Sequence, residues 1–262
     1  MSSSPLVVDG VPIWIEGSGP ETILMIHGWP DTCRLWDHQV EALSADYRCA
    51  RFTLPGFEAG AKRRAHTLDE LCGFFERVVD AVSPGAPVTL LLHDWGCFFG
   101  YQFYSRFPQR VKRIVGVDVG DTGTLRAEAS TRVLLLIAAY QNWLALAWRI
   151  GGRLGDWMAL WMVSLVRCPT QEPHRGAQQG YAYYMTWWAR KNSYRREGRR
   201  FRPECPMLFI YGKRKPFMFH AESWLERLRA RTGNRVEAFE TGHWVMIEQP
   251  EEFNRVVREW LA

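Results

Sequence analysis

Residues Val88 to Gly100 read VTLLLHDWGCFFG, and the chemistry open to this chain starts there. Five β-prone residues, Val88 to Leu92, run without a loop into His93-Asp94-Trp95-Gly96, and a helix-compatible stretch, Cys97 to Phe107, follows at once. A strand that turns this sharply into a helix pushes the side chain at the turn out above the sheet edge and aims the next backbone N–H the same way. The side chain at the turn is Asp94. A carboxylate held there suits a nucleophile, with the Trp95 N–H as an oxyanion donor. The same residues also fit a plainer description, a parallel strand ending on a helix whose N-cap is an aspartate. The rest of the chain decides between the two.

The elements that must position Asp94 alternate along the sequence. Leu6 to Glu16 and Thr22 to Ile26 are β-rich and separated by Gly17-Ser18-Gly19-Pro20, which predicts an antiparallel pair or two adjacent strands. The second strand runs into His27-Gly28-Trp29-Pro30-Asp31. Helical spacing follows at Leu35, Trp36, Val40 and Leu43, then a strand from Tyr47 to Thr53. Thr67 and Glu70 form a capping-box pattern that opens an amphipathic helix to about Val82. A strand over Arg113 to Val117 ends in Asp118-Val119-Gly120-Asp121. The alternation then stops until Met207 to Tyr211. A helix over about Ala221 to Arg231, a strand over Arg235 to Phe239, the tripeptide Thr241-Gly242-His243 and a closing helix from Pro250 or Glu251 to Leu261 complete the chain. This order predicts a mostly parallel, doubly wound α/β sheet built from residues 1–121 and 203–262, interrupted by a helical insertion, residues 122–202.

At 262 residues the chain is long enough for one such domain with its insertion. The aromatic share of 14% and the 13 Trp are high, and much of that excess falls between residues 140 and 190, pointing to a bulky apolar surface around a pocket and to an apolar substrate. The net charge of +5 is concentrated in Arg190 to Arg202, where seven of thirteen residues are Lys or Arg. No nucleic-acid motif accompanies it, so a solvated helix face or linker is expected there rather than a nucleic-acid site. Six scattered Cys without metal-ligand spacing, and an opening MSSSPLVV without a signal-peptide pattern, fit a reducing, cytoplasmic protein that needs no metal. The uncharged stretch Val133 to Trp148 is broken by Gln141-Asn142 and falls short of the roughly 18 residues of a spanning helix, so a buried or lid helix is expected and no integral membrane segment.

Asp94 in HDWG, HGWPD after an early strand, a helical insertion and TGHW before the last helix together resemble the α/β-hydrolase fold family, across nearly the whole chain. The HDWG elbow is similar to the branch with an Asp nucleophile, the epoxide hydrolases and haloalkane dehalogenases. The resemblance implies that Asp94 attacks an sp3 carbon to form an alkyl-enzyme ester, and that His243 activates the water that cleaves it. It also implies an oxyanion hole made by the backbone N–H groups of Trp95 and Trp29. The other six histidines are expected to be core or surface residues, with His93 packed beneath the elbow.

The third catalytic member departs from the family pattern. Tyr211-Gly212-Lys213-Arg214-Lys215-Pro216 places Lys215 where an acid is usual, and a lysine cannot orient a histidine N–H. Some dehalogenases take their acid from the end of the strand after the elbow helix. Asp118 stands there, 24 residues past Asp94, with Asp121 as the alternate. Trp29 in HGWP resembles the epoxide hydrolases, whereas Leu92 and Asp118 resemble the dehalogenases. Epoxide opening also needs phenolic donors from the lid; Tyr140, Tyr181, Tyr183 and Tyr184 lie in the insertion, with Tyr181, Tyr183 and Tyr184 the candidates and lid packing their plain alternative. The sequence therefore predicts a cofactor-free hydrolase, epoxide hydrolase-like, acting with water on a small apolar molecule as a monomer or homodimer. Dehalogenase-like or ester-hydrolase chemistry is second, and a non-catalytic protein that binds hydrophobic ligands on the same fold is the alternative of another class.

Overall fold

The computed structural model describes residues 4–173 and 175–262, so the expectations for the opening Met1 to Ser3 and for His174 lie outside the described residues. Eight strands form one sheet: β1 (Leu6–Val8), β2 (Val11–Glu16), β3 (Thr22–Ile26), β4 (Arg48–Phe52), β5 (Val88–His93), β6 (Val111–Val117), β7 (Met207–Gly212) and β8 (Arg235–Phe239). Their order is β1-β2-β4-β3-β5-β6-β7-β8. From β4 to β8 every neighbouring pair is parallel, while β1 with β2 and β2 with β4 are antiparallel. The central strands β3 and β5 are buried along their whole length, as near-continuous apolar runs require when both sheet faces are covered.

The α-helices are α1 (Asp37–Leu43), α2 (Leu68–Val82), α3 (Trp95–Arg106), α4 (Thr122–Glu128), α5 (Thr131–Ile150), α6 (Gly152–Leu165), α7 (Tyr181–Trp187), α8 (Tyr194–Glu197), α9 (Glu222–Arg229), α10 (Val245–Glu248) and α11 (Pro250–Leu261). The helix α2 starts on the predicted capping box: the Glu70 N–H donates to Thr67 Oγ1 and the Thr67 N–H to Glu70 Oε2. Its buried side, from Leu71 to Val82, packs into the core on one sheet face with α3, while α1 and α11 cover the other. Helices α4 to α8 fall between β6 and β7 and supply the lid.

Two expectations are corrected. The first hairpin lies inside Leu6 to Glu16 rather than between that segment and Thr22 to Ile26: Asp9 (φ 50°) and Gly10 (φ 81°) make a two-residue turn that splits it into β1 and β2. β3 is not a neighbour of β2, because β4 lies between them. The apolar stretch over Val133 to Trp148 lies within the 20-residue helix Thr131–Ile150, which is long and apolar enough to cross a bilayer by length and composition, so the expectation that it falls short of a spanning helix is corrected. It lies in the chain between β6 and β7, and most of it is not buried. Gln141 and Asn142 interrupt the apolar run to hold α7 in place: Trp187 Nε1 donates to Gln141 Oε1 at 2.7 Å and Trp188 Nε1 to Asn142 Oδ1 at 2.8 Å.

Candidate active site

Asp94 forms the turn between β5 and α3 with φ 53° and ψ −122°, a region that residues with a Cβ rarely enter. The chain reaches it because two glycines let backbone approach backbone. A Cβ on Gly28 would lie 2.3 Å from Asp94 Oδ1, and one on Gly96 would lie 2.1 Å from the Ile26 carbonyl oxygen. The loop after β3 is thereby pressed against the elbow. The Trp29 N–H donates to Asp94 Oδ1 at 2.7 Å, and the Trp95 N–H also bonds this carboxylate. Both predicted oxyanion donors therefore meet the Asp94 carboxylate.

His243 hangs over Asp94 from the loop after β8. Its Nε2 is 3.5 Å from Asp94 Oδ2, and its Nδ1 hydrogen-bonds Asp118 Oδ2. Asp118 is fully buried at the tip of β6, in a left-handed conformation (φ 71°). Its Oδ1 accepts from the Gly212 N–H at 3.1 Å and from the Lys215 ammonium. The tips of β6 and β7 are neighbours in the parallel sheet, so Lys215, at the position where the family pattern has an acid, reaches across to the acid that stands one strand over. Asp121 is placed elsewhere: its Oδ2 accepts from the Thr124 N–H at 2.8 Å and caps α4.

Charge follows this geometry. Burial lowers the pKa of His243, but the charge and hydrogen bond of Asp118, then those of Asp94, outweigh it and raise the value to about 9. Burial alone would raise both carboxyls. Asp118 is nevertheless held well below the usual carboxylate range by His243 and Lys215, and Asp94 is held lower by His243, His93 and the Trp95 N–H. Burial pushes the Lys215 ammonium down, which Asp118 partly offsets.

His93 packs beneath the elbow, its ring centroid 4.5 Å from that of His243. Burial and the His243 charge lower it to about 3, so it is neutral, with Nε2–H donating to the His243 carbonyl at 3.1 Å. His27 is also buried and neutral, lowered by burial to about 4, and its Nε2 accepts from the Leu54 N–H at 2.9 Å. Asp31, buried and not singled out in the sequence beyond its place in HGWPD, accepts from Trp244 Nε1 at 2.9 Å and from the Thr170 hydroxyl, with Arg175 Nη2 at 3.6 Å. That cluster ties the loop after α6 to the core beside the elbow.

A cavity of about 940 Å³ opens on Asp94 between core and lid, lined by Trp95, Phe98, Tyr140, Trp187 and Phe219 among others. The lid tyrosines separate sharply. The ring of Tyr183 stands edge-on to Trp29 (5.8 Å), Trp95 (5.1 Å) and Tyr140 (6.2 Å). Burial and then the Asp94 charge raise the Tyr183 phenol; Tyr140 is raised by burial and, beyond a hydrogen bond from Gln141, by the same charge. Tyr181 instead packs against Phe57, His66 and Phe99, and Tyr184 stacks on Trp148 at 4.2 Å. Of the three tyrosines predicted as donors, only Tyr183 is raised by the charge of Asp94. Its companion is Tyr140, whose signal in the sequence was its place next to the polar break Gln141-Asn142. No group of three or more His, Cys, Asp or Glu among the described residues could hold a metal ion.

Known proteins resemble this arrangement at two levels. Relatives include "Probable oxidoreductase EphD" of Mycobacterium tuberculosis, 35% identical over 113 residues that make up 40% of this chain and 19% of that protein. Epoxide hydrolase B of the same organism is 32% identical over 122 residues, 45% of this chain and 33% of that one. The matches thus span well under two thirds of these relatives. Among solved structures, the epoxide hydrolase of Bacillus megaterium in complex with an inhibitor superposes with a TM-score of 0.77 over 98% of this chain and 99% of that chain at 21% identity, a likeness of fold. The profile of the alpha/beta hydrolase family matches residues 23–256. With the eight-stranded sheet and the strand-elbow-helix already described, that match settles the identity of the fold: the chain belongs to the alpha/beta hydrolase family.

Proposed function

We propose that this protein is an epoxide hydrolase-like enzyme that works through an alkyl ester of Asp94. The observation that carries the reading is the carboxylate itself, held at a left-handed elbow with Oδ1 on the Trp29 N–H and Oδ2 facing the base His243. Oδ1 is already engaged by the Trp29 N–H, one of the donors that would hold an oxyanion, which leaves Oδ2 to attack a ring carbon. The C–O bond of the epoxide breaks as the Asp94–carbon bond forms, and the departing alkoxide takes a proton from a phenol, for which Tyr183 and Tyr140 are the paired candidates.

Ester formation removes the negative charge of Asp94. One of the two partners that keep His243 protonated is then lost, which favours release of its proton; that proton replaces the one the phenol gave to the alkoxide, and neutral His243 is left as the base. It deprotonates a water that attacks the Asp94 carbonyl carbon. The oxyanion on Oδ1 is stabilised by the N–H groups of Trp29 and Trp95, and collapse releases the diol and restores the carboxylate. Asp118 holds the Nδ1 side of the imidazole throughout.

The test is to mix His243→Gln with a panel of epoxides, haloalkanes and p-nitrophenyl esters and to follow intact mass. The expected result is a covalent adduct on Asp94 with an epoxide, mapped by peptide sequencing. An adduct on another residue overturns the mechanism, and adducts with haloalkanes alone move the substrate class to halides. Tyr183→Phe and Tyr140→Phe should each slow epoxide opening while leaving alkylation by a halide intact.

A further inference from the structure

The lid turns an apolar face outward. On α6, Leu154, Trp157, Leu160, Trp161 and Leu165 each keep 45% to 60% of their surface exposed. They recur at three- and four-residue spacing and so form one stripe along the helix. α5 runs antiparallel beside it, with Ala147 against Gly155 and Trp143 Nε1 donating to the Met158 carbonyl at 3.0 Å. Its exposed Leu135, Leu136, Leu146 and Ile150 add a second stripe, and Trp143 joins the two helices through its contact with Trp161, ring centroids 5.2 Å apart. Leu135 also lines the cavity above Asp94, so the face runs on to the cavity mouth. An apolar surface of this continuity on a folded chain marks a place of contact.

The charges around the face say what it meets. Between Ala129 and Thr170 the charged residues are Arg132, Arg149, Arg153 and Arg167 against a single acid, Asp156. All four arginines are exposed and none forms an ion pair among the described residues, whereas Asp156 is half-buried and accepts from the Ala177 N–H at 2.8 Å. The cavity beside this face is lined by Arg126, Arg195, Arg199, Arg200 and Arg227 against Asp94, Asp121 and Glu128, so cations outnumber acids there too. A second copy of the chain is disfavoured as the occupant, because a two-fold contact would set this cationic rim against itself. Trp and Leu at the centre with Arg at the border is the chemistry of the boundary between acyl chains and anionic headgroups. We propose that the outer face of the α5–α6 hairpin docks onto a membrane surface that carries anionic lipid. The hairpin lies in the plane of that surface, since Gln141 and Asn142 keep α5 bound to α7. Docking sets the cavity mouth at the lipid, where an apolar substrate concentrates.

Flotation of the whole chain with lipid vesicles tests this without reference to catalysis. The protein should float with vesicles of phosphatidylcholine mixed with phosphatidylglycerol, stay behind with pure phosphatidylcholine, and be released by salt. Leu154→Gln/Trp157→Gln/Leu160→Gln should lower the bound-to-free ratio more than about tenfold, given the apolar area each side chain withdraws from water. Arg149→Gln/Arg153→Gln should lower it about fivefold per charge. Unchanged melting temperatures show that these exposed replacements leave the fold intact. Equal flotation with both vesicle types, flotation with neither, or wild-type flotation of the apolar triple variant overturns the proposal. A dimer that the triple variant dissociates, with no flotation, also overturns it and gives the face to a second copy.

Discussion

Four charged side chains share one corner of the molecule, and their pairing determines how each behaves. Asp118 carries two cations, His243 on Oδ2 and Lys215 on Oδ1. The lysine therefore weakens the hold of Asp118 on the imidazolium. Replacing it in Lys215→Met should raise the pKa of His243 further, so the pH profile for cleavage of the Asp94 ester should move to higher pH, measured by single-turnover kinetics; Lys215→Arg should restore part of the shift. Asp118→Asn removes the orienting carboxylate and should slow that same step, by up to about 10⁴-fold if the Ser-His-Asp precedent transfers, while the first turnover survives as a burst. Stability follows with a definite sign. His243 titrates at about 9 in the folded chain against an ordinary 6.5, so its protonated form stabilises the fold fully below pH 6.5, and that contribution is lost as the pH rises through 9. Asp118 acts in the opposite sense, stabilising above the ordinary carboxylate range and failing as acid reaches its lowered pKa. The melting temperature should therefore be highest between the ordinary carboxylate range and pH 6.5, and the advantage of wild type over His243→Gln should shrink between pH 6.5 and 9.5.

At the scale of elements, the elbow depends on close approach more than on propensity. Gly96→Ala would gain about 1 kcal/mol of helix propensity in α3 yet drive a Cβ against the Ile26 carbonyl oxygen, which costs about 1–3 kcal/mol by overpacking and moves the Trp29 loop besides. A net loss in urea denaturation, together with slower ester formation, is the expected outcome. How much of this the sequence disclosed follows from which forces are local. The bounds of β3, β8 and α11 and the capping box of α2 were legible because apolar runs, period and cap chemistry act over a few residues. Asp94, His243 and Asp118 were legible as strand-end residues, and the structure places them together. What stayed hidden was long-range. No local pattern says that Lys215 turns toward Asp118, a residue 97 positions away. Nor does one say that α7 turns Tyr183 rather than Tyr181 or Tyr184 toward Trp29 and Trp95, since that depends on how Gln141 and Asn142 lock two helices. The outward apolar stripe of α6 was invisible for the same reason: periodicity marks a face without saying what covers it.

For the whole molecule, the question is what couples lid to core. Arg175 is one answer, a buried guanidinium whose Nε donates to the Pro30 carbonyl at 3.0 Å and whose Nη2 lies near Asp31. Arg175→Met leaves the Asp31 carboxylate buried with the Thr170 hydroxyl, the Trp244 indole and the weak Cys168 thiol donor but no cation, a loss on the order of 3–5 kcal/mol at neutral pH. Burial raises the Asp31 pKa, so protonation relieves the variant as the pH falls, and denaturation at pH 5 should show a smaller deficit than at pH 7.5. The position of the lid in the chain has a consequence in time. It leaves the sheet after β6 and returns at β7, the next strand over, so that pairing these two strands closes a loop of roughly 90 residues at a cost of about 4 kcal/mol in chain entropy. Asp118 lies before that loop and His243 after it. The elbow with Asp94 is built from residues that precede that loop, whereas its contact with His243 needs the strands that follow it, so Asp94 and His243 meet only in a chain whose two halves of the sheet have joined.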